Sequence, residues 1–161
     1  MIKVLFVCLG NICRSPMAEF VLKKMVAEKN LTDRFVIASA ATESYNEKCH
    51  TGIYPDAKET LAANGVPFNE HYSRQIRRGD YDSFDYILAM DAANIGDTIS
   101  IVGPDKDGKI KRLLDFTPDP RDIKDPWYTG NFTGSYLDIV KGCRAFLDYI
   151  VKNETQEKRE E

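Results

Sequence analysis

The chain has 161 residues and a formal net charge of −3 at pH 7, with charges of both signs interspersed. This length suits one domain with a single sizeable core. The charge balance offers no extended basic surface, so we expect no nucleic-acid partner. No segment approaches the ~20 apolar residues of a membrane-spanning helix, so we expect no membrane association. The 4 cysteines are irregularly spaced, unlike a secreted disulfide framework, and this favours a reducing cytoplasm.

Short apolar runs alternate with amphipathic stretches, as in an α/β protein with a mainly parallel sheet. Strands are predicted at residues 2–7, 35–40, 86–90 and 110–114. Helices are predicted at 16–29, at 56–64, in a short segment capped by Asp91, and at 133–152. A Pro/Asp-rich loop spans 115–130, and the polar tail 153–161 is expected to fray.

The expected architecture is therefore a single α/β domain over residues 1–152. We expect a four-stranded parallel sheet in the order 2-1-3-4, flanked by helices on both faces. In open parallel sheets, ligands bind beyond the carboxyl ends of the strands, near the point where the strand order reverses. The loop that follows the first strand lies where this rule places a site.

That loop reads Cys-Leu-Gly-Asn-Ile-Cys-Arg-Ser-Pro over residues 8–16. Gly10 and Asn11 permit positive φ angles, so successive backbone N–H groups can point inward around an anion. Ser15 before a proline is typical of a helix N-cap, which adds the positive end of a helix. Such surroundings stabilise a thiolate at Cys8. Arg14 adds a planar pair of donors that matches two phosphate oxygens.

A thiolate inside a ring of N–H donors is suited to attack phosphorus and form a phosphocysteine. Expulsion of an alkoxide or phenoxide then needs a general acid. Asp125 is the best candidate, because Pro126 restricts it to extended backbone angles and keeps it out of a helix. Trp127 and Tyr128 follow and can flank an aryl leaving group. The alternatives are an ordinary Asp-Pro turn and an aromatic pair packed on the core.

The loop motif, together with Asp-Pro-Trp-Tyr at residues 125–128, resembles the low-molecular-weight protein-tyrosine phosphatases. The resemblance to this family covers essentially the whole chain, because four further segments also match it, namely 37–40, 54–56, 71–76 and 84–91. It implies hydrolysis of phosphotyrosine in proteins or peptides, with inorganic phosphate as product. No metal or cofactor is implied, and we expect a monomer or weak dimer.

Carried over by position, the resemblance makes Cys8 the nucleophile and Arg14 the phosphate clamp. Asp125 is then the general acid, and afterwards the base that activates water. Ser15 matches the hydroxyl that stabilises the thiolate as it leaves in the second step. The backbone expected to bind phosphate comprises Leu9, Gly10, Asn11, Ile12, Cys13 and Arg14.

The resemblance also assigns supporting residues. Asn11, Ser39 and His71 match a hydrogen-bonded network that holds the loop, so His71 is expected to be structural. The walls of the substrate cleft are expected to be Tyr45, Trp127 and Tyr128.

Cys13 lies on the same curled loop as Cys8, close enough for a disulfide to be plausible. The resemblance implies that this pair acts as a reversible oxidative lock, with Cys13 as the redox partner.

Two other activities use the same fold. An arsenate reductase needs two further cysteines near one another, whereas residues 91–94 contain none and Cys49 and Cys143 are far apart in sequence. Phosphoarginine phosphatases tend to carry a small threonine where this chain has Ile12, and a bulky apolar residue suits a phenyl phosphate better.

Non-enzymatic alternatives are a phosphopeptide-binding module and a structural zinc protein. The first would not require a nucleophile, an arginine and an acid together. For the second, Cys8 and Cys13 lack a properly spaced second pair, because Cys49 and His50 are adjacent.

Overall fold

The structure is a computed structural model that describes residues 1–160. The strands are β1 (Ile2–Cys8), β2 (Phe35–Ala41), β3 (Tyr86–Ala89) and β4 (Ile110–Arg112). The helices are α1 (Arg14–Glu28), α2 (Tyr45–Lys48), α3 (Pro55–Ala63), α4 (Asp80–Ser83), α5 (Ala92–Val102), α6 (Pro126–Thr129) and α7 (Phe132–Glu160). Short 3-10 helices span Thr32–Arg34 and Leu113–Phe116.

The four strands form one parallel sheet in the order β2-β1-β3-β4, which confirms the predicted architecture. β1 is central and pairs with β2 on one side and β3 on the other, so the direction of winding reverses there. Cys8 pairs with Ala41 at the carboxyl end of this strand. The loop that leaves β1 therefore starts at the switch point where such sheets bind ligands.

Both faces of the sheet are buried, as alternation along β1 requires. Val4 and Phe6 pack into a core cluster that includes side chains from α1, α3 and α7. Leu5 and Val7 pack into a second cluster on the other face, where Val102 of α5 also lies. Helices consequently cover both faces, and β1 is held rigidly between them.

The last strand is shorter than the predicted 110–114. Arg112 donates from its backbone and its Nε to the Asp115 carboxylate, at 2.9 and 3.1 Å, and this turns the chain into a 3-10 helix. Leu113 then packs against α7 at Gly142, where an added Cβ would lie 2.5 Å from the leucine Cγ. The apolar pair Leu113-Leu114 thus packs on a helix instead of extending the sheet.

The predicted end of the closing helix at Lys152 is also wrong, and the segment expected to fray is helical through Glu160. Residue 161 lies outside the described residues. The segment is rich in Glu, Lys, Gln and Arg, which are good helix formers although they are polar. Arg34, just before β2, makes an ion pair of 2.6 Å with Glu154. Over residues 1–160, no helix is both long enough and apolar enough to cross a membrane.

Candidate active site

The loop after β1 turns its carbonyl groups outward. The Leu9 carbonyl accepts from the Glu43 N–H at 3.1 Å, that of Gly10 from the Ser73 hydroxyl at 2.9 Å, and that of Ile12 from the Tyr54 N–H at 2.9 Å. In a trans peptide the following N–H points away from the carbonyl, and no peptide bond here is cis. The N–H groups of residues 10, 11 and 13 therefore face the interior of the loop, as an anion site requires.

Only one of the two residues expected at positive φ adopts it. Asn11 has φ 55°, whereas Gly10 is not in the left-handed region. Glycine at position 10 leaves room for a neighbouring side chain instead. An added Cβ would lie 2.8 Å from the Asn46 side-chain nitrogen, which itself donates to the Gly10 carbonyl at 3.2 Å.

Cys8 Sγ lies at the centre of this curl and is buried. The Asn11 N–H donates to it at 3.3 Å, and the Ser15 hydroxyl lies 3.0 Å away. Ser15 is not the helix N-cap that the sequence predicted, because α1 begins at Arg14 after the cap residue Cys13. The hydroxyl is engaged at the sulfur instead, where it can stabilise a thiolate.

Asn11 connects the loop to its surroundings. Its side-chain nitrogen donates to Ser15 Oγ at 2.8 Å and to Ser39 Oγ at 2.9 Å. Its Oδ1 accepts from the Arg74 backbone N–H at 3.3 Å and lies 3.2 Å from His71 Nε2. Since the oxygen can only accept, His71 must carry its hydrogen on Nε2. The structure thus brings Asn11, Ser39 and His71 into one network.

Sequence reasoning missed a further member of this network, Glu19 of α1. Ser39 Oγ donates to its carboxylate at 2.6 Å, and His71 Nδ1 lies 3.8 Å from the same oxygen. The sequence offered one clue to this role, because Glu19 is an acidic residue next to the apolar positions that form the buried face of α1. Burial lowers the pKa of His71, while the charge of Glu19 opposes this shift.

Arg14 reaches the floor of the cleft from the first residue of α1, and its side chain is only 3% exposed. Its Nη1 donates to Asp91 Oδ2 at 2.8 Å and to the Ile123 carbonyl at 2.7 Å. Burial opposes its charge, but the electrostatic interaction with Cys8 and the hydrogen bond to Asp91 outweigh burial, so the pKa of Arg14 is raised above its ordinary value. Asp91 caps α5 as predicted, and its second role as the partner of Arg14 was not predicted.

Asp125 lies across the cleft as the N-cap of α6, with the extended backbone that the following proline predicts. Its Oδ1 accepts from the Trp127 N–H at 3.0 Å, and its Oδ2 lies 3.5 Å from Arg14 Nη2. The short helix α6 was expected to be part of an irregular loop. It gives the carboxyl group a defined orientation towards Arg14.

The cleft has a volume of about 230 Å³. Its exposed walls are Tyr45, Trp127 and Tyr128, which are 68%, 55% and 76% exposed. Trp127 rests edge-on against Tyr54, with ring centroids 5.0 Å apart. The residues that line the cleft are Cys8, Leu9, Gly10, Ile12, Cys13, Arg14, Glu43, Tyr45, Asn46, Asp125, Trp127 and Tyr128.

Cys13 lines the same cleft and carries a free thiol, as does Cys8. Burial is the main reason why the pKa of Cys13 is raised, and the negative charge at Cys8 acts in the same direction. Cys13 is therefore a protonated neighbour of the sulfur at position 8.

A parallel α/β sheet with a cysteine and an arginine in the loop after its central strand defines a class of phosphate-binding proteins. A family model described as low molecular weight phosphotyrosine protein phosphatase matches residues 3–158. The chain belongs to this family.

The chain is 44% identical over 156 residues to the low molecular weight protein-tyrosine-phosphatase YfkJ of Bacillus subtilis, covering 94% of this chain and 97% of that protein. The crystal structure of YfkJ superposes with a TM-score of 0.88 at 43% identity, covering 95% of this chain and 96% of the other. PtpA of Staphylococcus aureus is also described as a low molecular weight protein-tyrosine-phosphatase. It is 38% identical over 156 residues, which cover 95% of this chain and 96% of that protein. The structure of an arginine phosphatase from Drosophila superposes with a TM-score of 0.82 at 34% identity, covering 92% of this chain and 98% of the other.

Proposed function

We propose that this chain hydrolyses phosphotyrosine in proteins or peptides through a phosphocysteine, without a metal ion. Cys8 is the nucleophile, Arg14 the phosphate clamp and Asp125 the general acid and base. The observation that carries this proposal is the convergence of the three side chains on one cleft, with Asp125 Oδ2 3.5 Å from the guanidinium of Arg14.

In the first step the Cys8 thiolate attacks phosphorus. The S–P bond forms while the P–O bond to the phenol breaks, and Asp125 in its acid form donates a proton to the leaving oxygen. Both hydrogens of Arg14 Nη1 have partners in Asp91 and the Ile123 carbonyl. Nε and the hydrogen of Nη2 that does not face Asp125 are the donors that remain to bind two phosphate oxygens.

In the second step a water molecule attacks the phosphocysteine and gives a proton to the Asp125 carboxylate. The P–S bond breaks, inorganic phosphate forms, and sulfur leaves as a thiolate. Ser15 Oγ and the Asn11 N–H, at 3.0 and 3.3 Å from Sγ, stabilise that leaving charge.

The walls of the cleft favour an aryl substrate. Tyr45, Trp127 and Tyr128 offer aromatic surfaces at its mouth, and Ile12 is an apolar lining residue. Ile12 offers no polar group to a guanidinium, so a phosphoarginine substrate fits less well. An arsenate relay is not favoured either, because Cys143 is buried under α1 with its Sγ 3.8 Å from the Ala18 carbonyl, whereas Cys49 is exposed.

We also propose a cytoplasmic location and a monomeric or weakly dimeric state. The irregular spacing of the four cysteines, unlike that of a secreted disulfide framework, supports a reducing compartment.

The test is hydrolysis of a phosphotyrosine peptide and of p-nitrophenyl phosphate in the presence of EDTA. The wild type is expected to remain active, Cys8→Ser to lose all measurable activity, and the control Cys49→Ser, at an exposed thiol, to keep it. Activity that vanishes with EDTA and returns with a metal would overturn the proposal, as would turnover by Cys8→Ser.

A further inference from the structure

Glu43 is the charged residue of the cleft that the proposed mechanism does not use. Three charged side chains line the cleft, namely Arg14, Glu43 and Asp125. Arg14 and Asp125 contact each other and have assigned roles. Glu43 is half-buried, and within residues 1–160 its carboxylate has neither a hydrogen-bond donor nor a cationic partner.

The neighbouring acid provides a contrast. Glu47 of α2 lies in the same connection after β2, yet both its carboxylate oxygens are occupied. One pairs with Arg77 at 2.5 Å, and the other accepts from the Gln75 N–H at 3.1 Å. The Glu43 carboxylate instead keeps contact with solvent, so both its oxygens are free to accept from a cationic group. Glu43 is thus available for a group that the substrate brings.

The position of Glu43 indicates which part of the substrate it meets. Its backbone N–H donates to the Leu9 carbonyl at 3.1 Å, on the outer side of the phosphate loop. One carboxylate oxygen lies 3.7 Å from the point where a Gly10 Cβ would stand. In the proposed mechanism the phosphoryl group binds on the inner side of this loop with Arg14, which leaves Glu43 at the rim of the cleft beside Tyr45, facing the part of the substrate outside the phosphoryl group.

We infer that Glu43 is a specificity-determining residue that selects phosphotyrosine peptides with Lys or Arg next to the phosphotyrosine and disfavours those with Asp or Glu there. This inference rests on the proposed function. A cationic neighbour pairs with the Glu43 carboxylate, whereas an acidic neighbour is repelled by it.

The experiment compares kcat/KM for three short phosphotyrosine peptides in which the residues on both sides of the phosphotyrosine are Lys, Ala or Glu. The wild type is expected to prefer the Lys peptide to the Glu peptide by about 10-fold. This factor combines the attraction between Glu43 and a peptide lysine with the repulsion between Glu43 and a peptide glutamate, both partly exposed to solvent. The preference should shrink as ionic strength rises, because exposed charges are screened.

Variants assign the effect to one side chain. In Glu43→Gln the ratio should fall to about 2, and in Glu43→Lys it should invert, with p-nitrophenyl phosphate as the internal reference for each variant. The matched control is Glu157→Lys, which makes the same charge change at an exposed position near the end of α7 and should keep the wild-type ratio.

A ratio that stays unchanged in Glu43→Lys, or that shifts equally in Glu157→Lys, would overturn the inference. If the Glu43 variants fail to fold, a wild-type ratio near 1 or one insensitive to salt would do the same. Failure of the proposed function would look different, since none of the three peptides would be hydrolysed.

Discussion

The two sides of the cleft are built in different ways. On one side, residues 8–15 curl around Cys8 and are held by buried partners, with Asn11 and Ser15 completely inaccessible to solvent. On the other side, α6 presents Asp125, Trp127 and Tyr128 from a short exposed helix that rests on Tyr54. In the proposed mechanism the buried side binds the phosphoryl group, which all substrates share, whereas the exposed side faces the leaving group and the peptide, which differ. Substitutions on the first side should therefore slow every substrate alike, and those on the second should depend on the substrate.

Among single substitutions that keep the nucleophile, Arg14→Lys should have the largest effect. Lysine lacks the planar pair of donors, so kcat/KM should fall by about 10²- to 10³-fold on every aryl phosphate, whatever its leaving group. The control is Arg144→Lys, at an exposed position of α7. A loss confined to poor leaving groups would mean that Arg14 acts on the exposed side of the cleft.

Asp125→Asn should reduce kcat by about 10²-fold on phosphotyrosine, and by much less on p-nitrophenyl phosphate. Asparagine preserves the cap of α6 but cannot donate the proton that a phenolate of high basicity needs. Asp119→Asn is a matched control, because it alters the other Asp-Pro pair of the same loop, where Asp119 pairs with Arg121 at 2.9 Å. An equal loss on both substrates would contradict the assignment of Asp125 as general acid.

Cys13→Ser should leave most of the oxidised enzyme unable to recover. Peroxide converts the Cys8 thiolate to a sulfenic acid, and attack by the Cys13 sulfur then forms a disulfide and releases water. A dithiol should restore most wild-type activity after this treatment, but only about one tenth of it in the variant, where Cys8 passes to irreversible oxidation states. Activity before and after dithiol is the readout. Equal recovery in both proteins would remove Cys13 from this role.

Ser39→Ala should lower kcat/KM several-fold on all substrates and destabilise the protein by about 1–2 kcal/mol, because Asn11 loses an acceptor and Glu19 a donor in a buried site. Urea unfolding and steady-state kinetics measure both effects. Ser100→Ala removes an exposed hydroxyl that bonds within α5 and serves as the control. Stability and activity that match the wild type would show that the network does not support the loop.

His71 should make the smallest contribution, visible as a pH dependence of stability. Its pKa is lowered in the folded protein by burial, so below about pH 6.5 the unfolded chain takes up a proton that the folded chain does not. Stability is therefore lost as pH falls through this window, by at most about 1.4 kcal/mol per pH unit from this group.

The variants His71→Gln and His50→Gln separate this contribution from that of other groups. Urea unfolding between about pH 7 and pH 5.5 should give a shallower slope for His71→Gln than for the wild type. His50→Gln, at an exposed position, should keep the wild-type slope. A slope in His71→Gln that is as steep as that of the wild type would contradict the account.

Local sequence patterns predicted what depends on neighbours in the chain. The strands lie close to their expected positions, and Cys8, Arg14 and Asp125 were singled out from a contiguous loop motif and an Asp-Pro pair. Asp91 was understood only as a helix cap, because its contact with Arg14 spans 77 positions of the sequence. Residue type predicted Ser15 as a helix cap, which is wrong, whereas the family resemblance predicted its place beside the Cys8 sulfur, because residue spacing does not encode the geometry of a curled loop.

Other differences arise from competition between local preference and packing. Leu113 fits an extended strand, but it packs on α7 once Asp115 turns the chain. The polar tail lacks an apolar stripe, yet its residues favour helix and continue α7. Glu43 and Glu19 were overlooked because most acidic residues are solvated, and the sequence does not show which of them the fold will bury.

The most direct test of the central claim is isolation of the covalent intermediate. A phosphotyrosine peptide carrying radiolabelled phosphate is mixed with the enzyme, the reaction is quenched on the millisecond scale, and the protein is digested and mapped. The account predicts label on the peptide that contains Cys8, with none in Cys8→Ser. Turnover without a labelled enzyme, or label on any other residue, would contradict it.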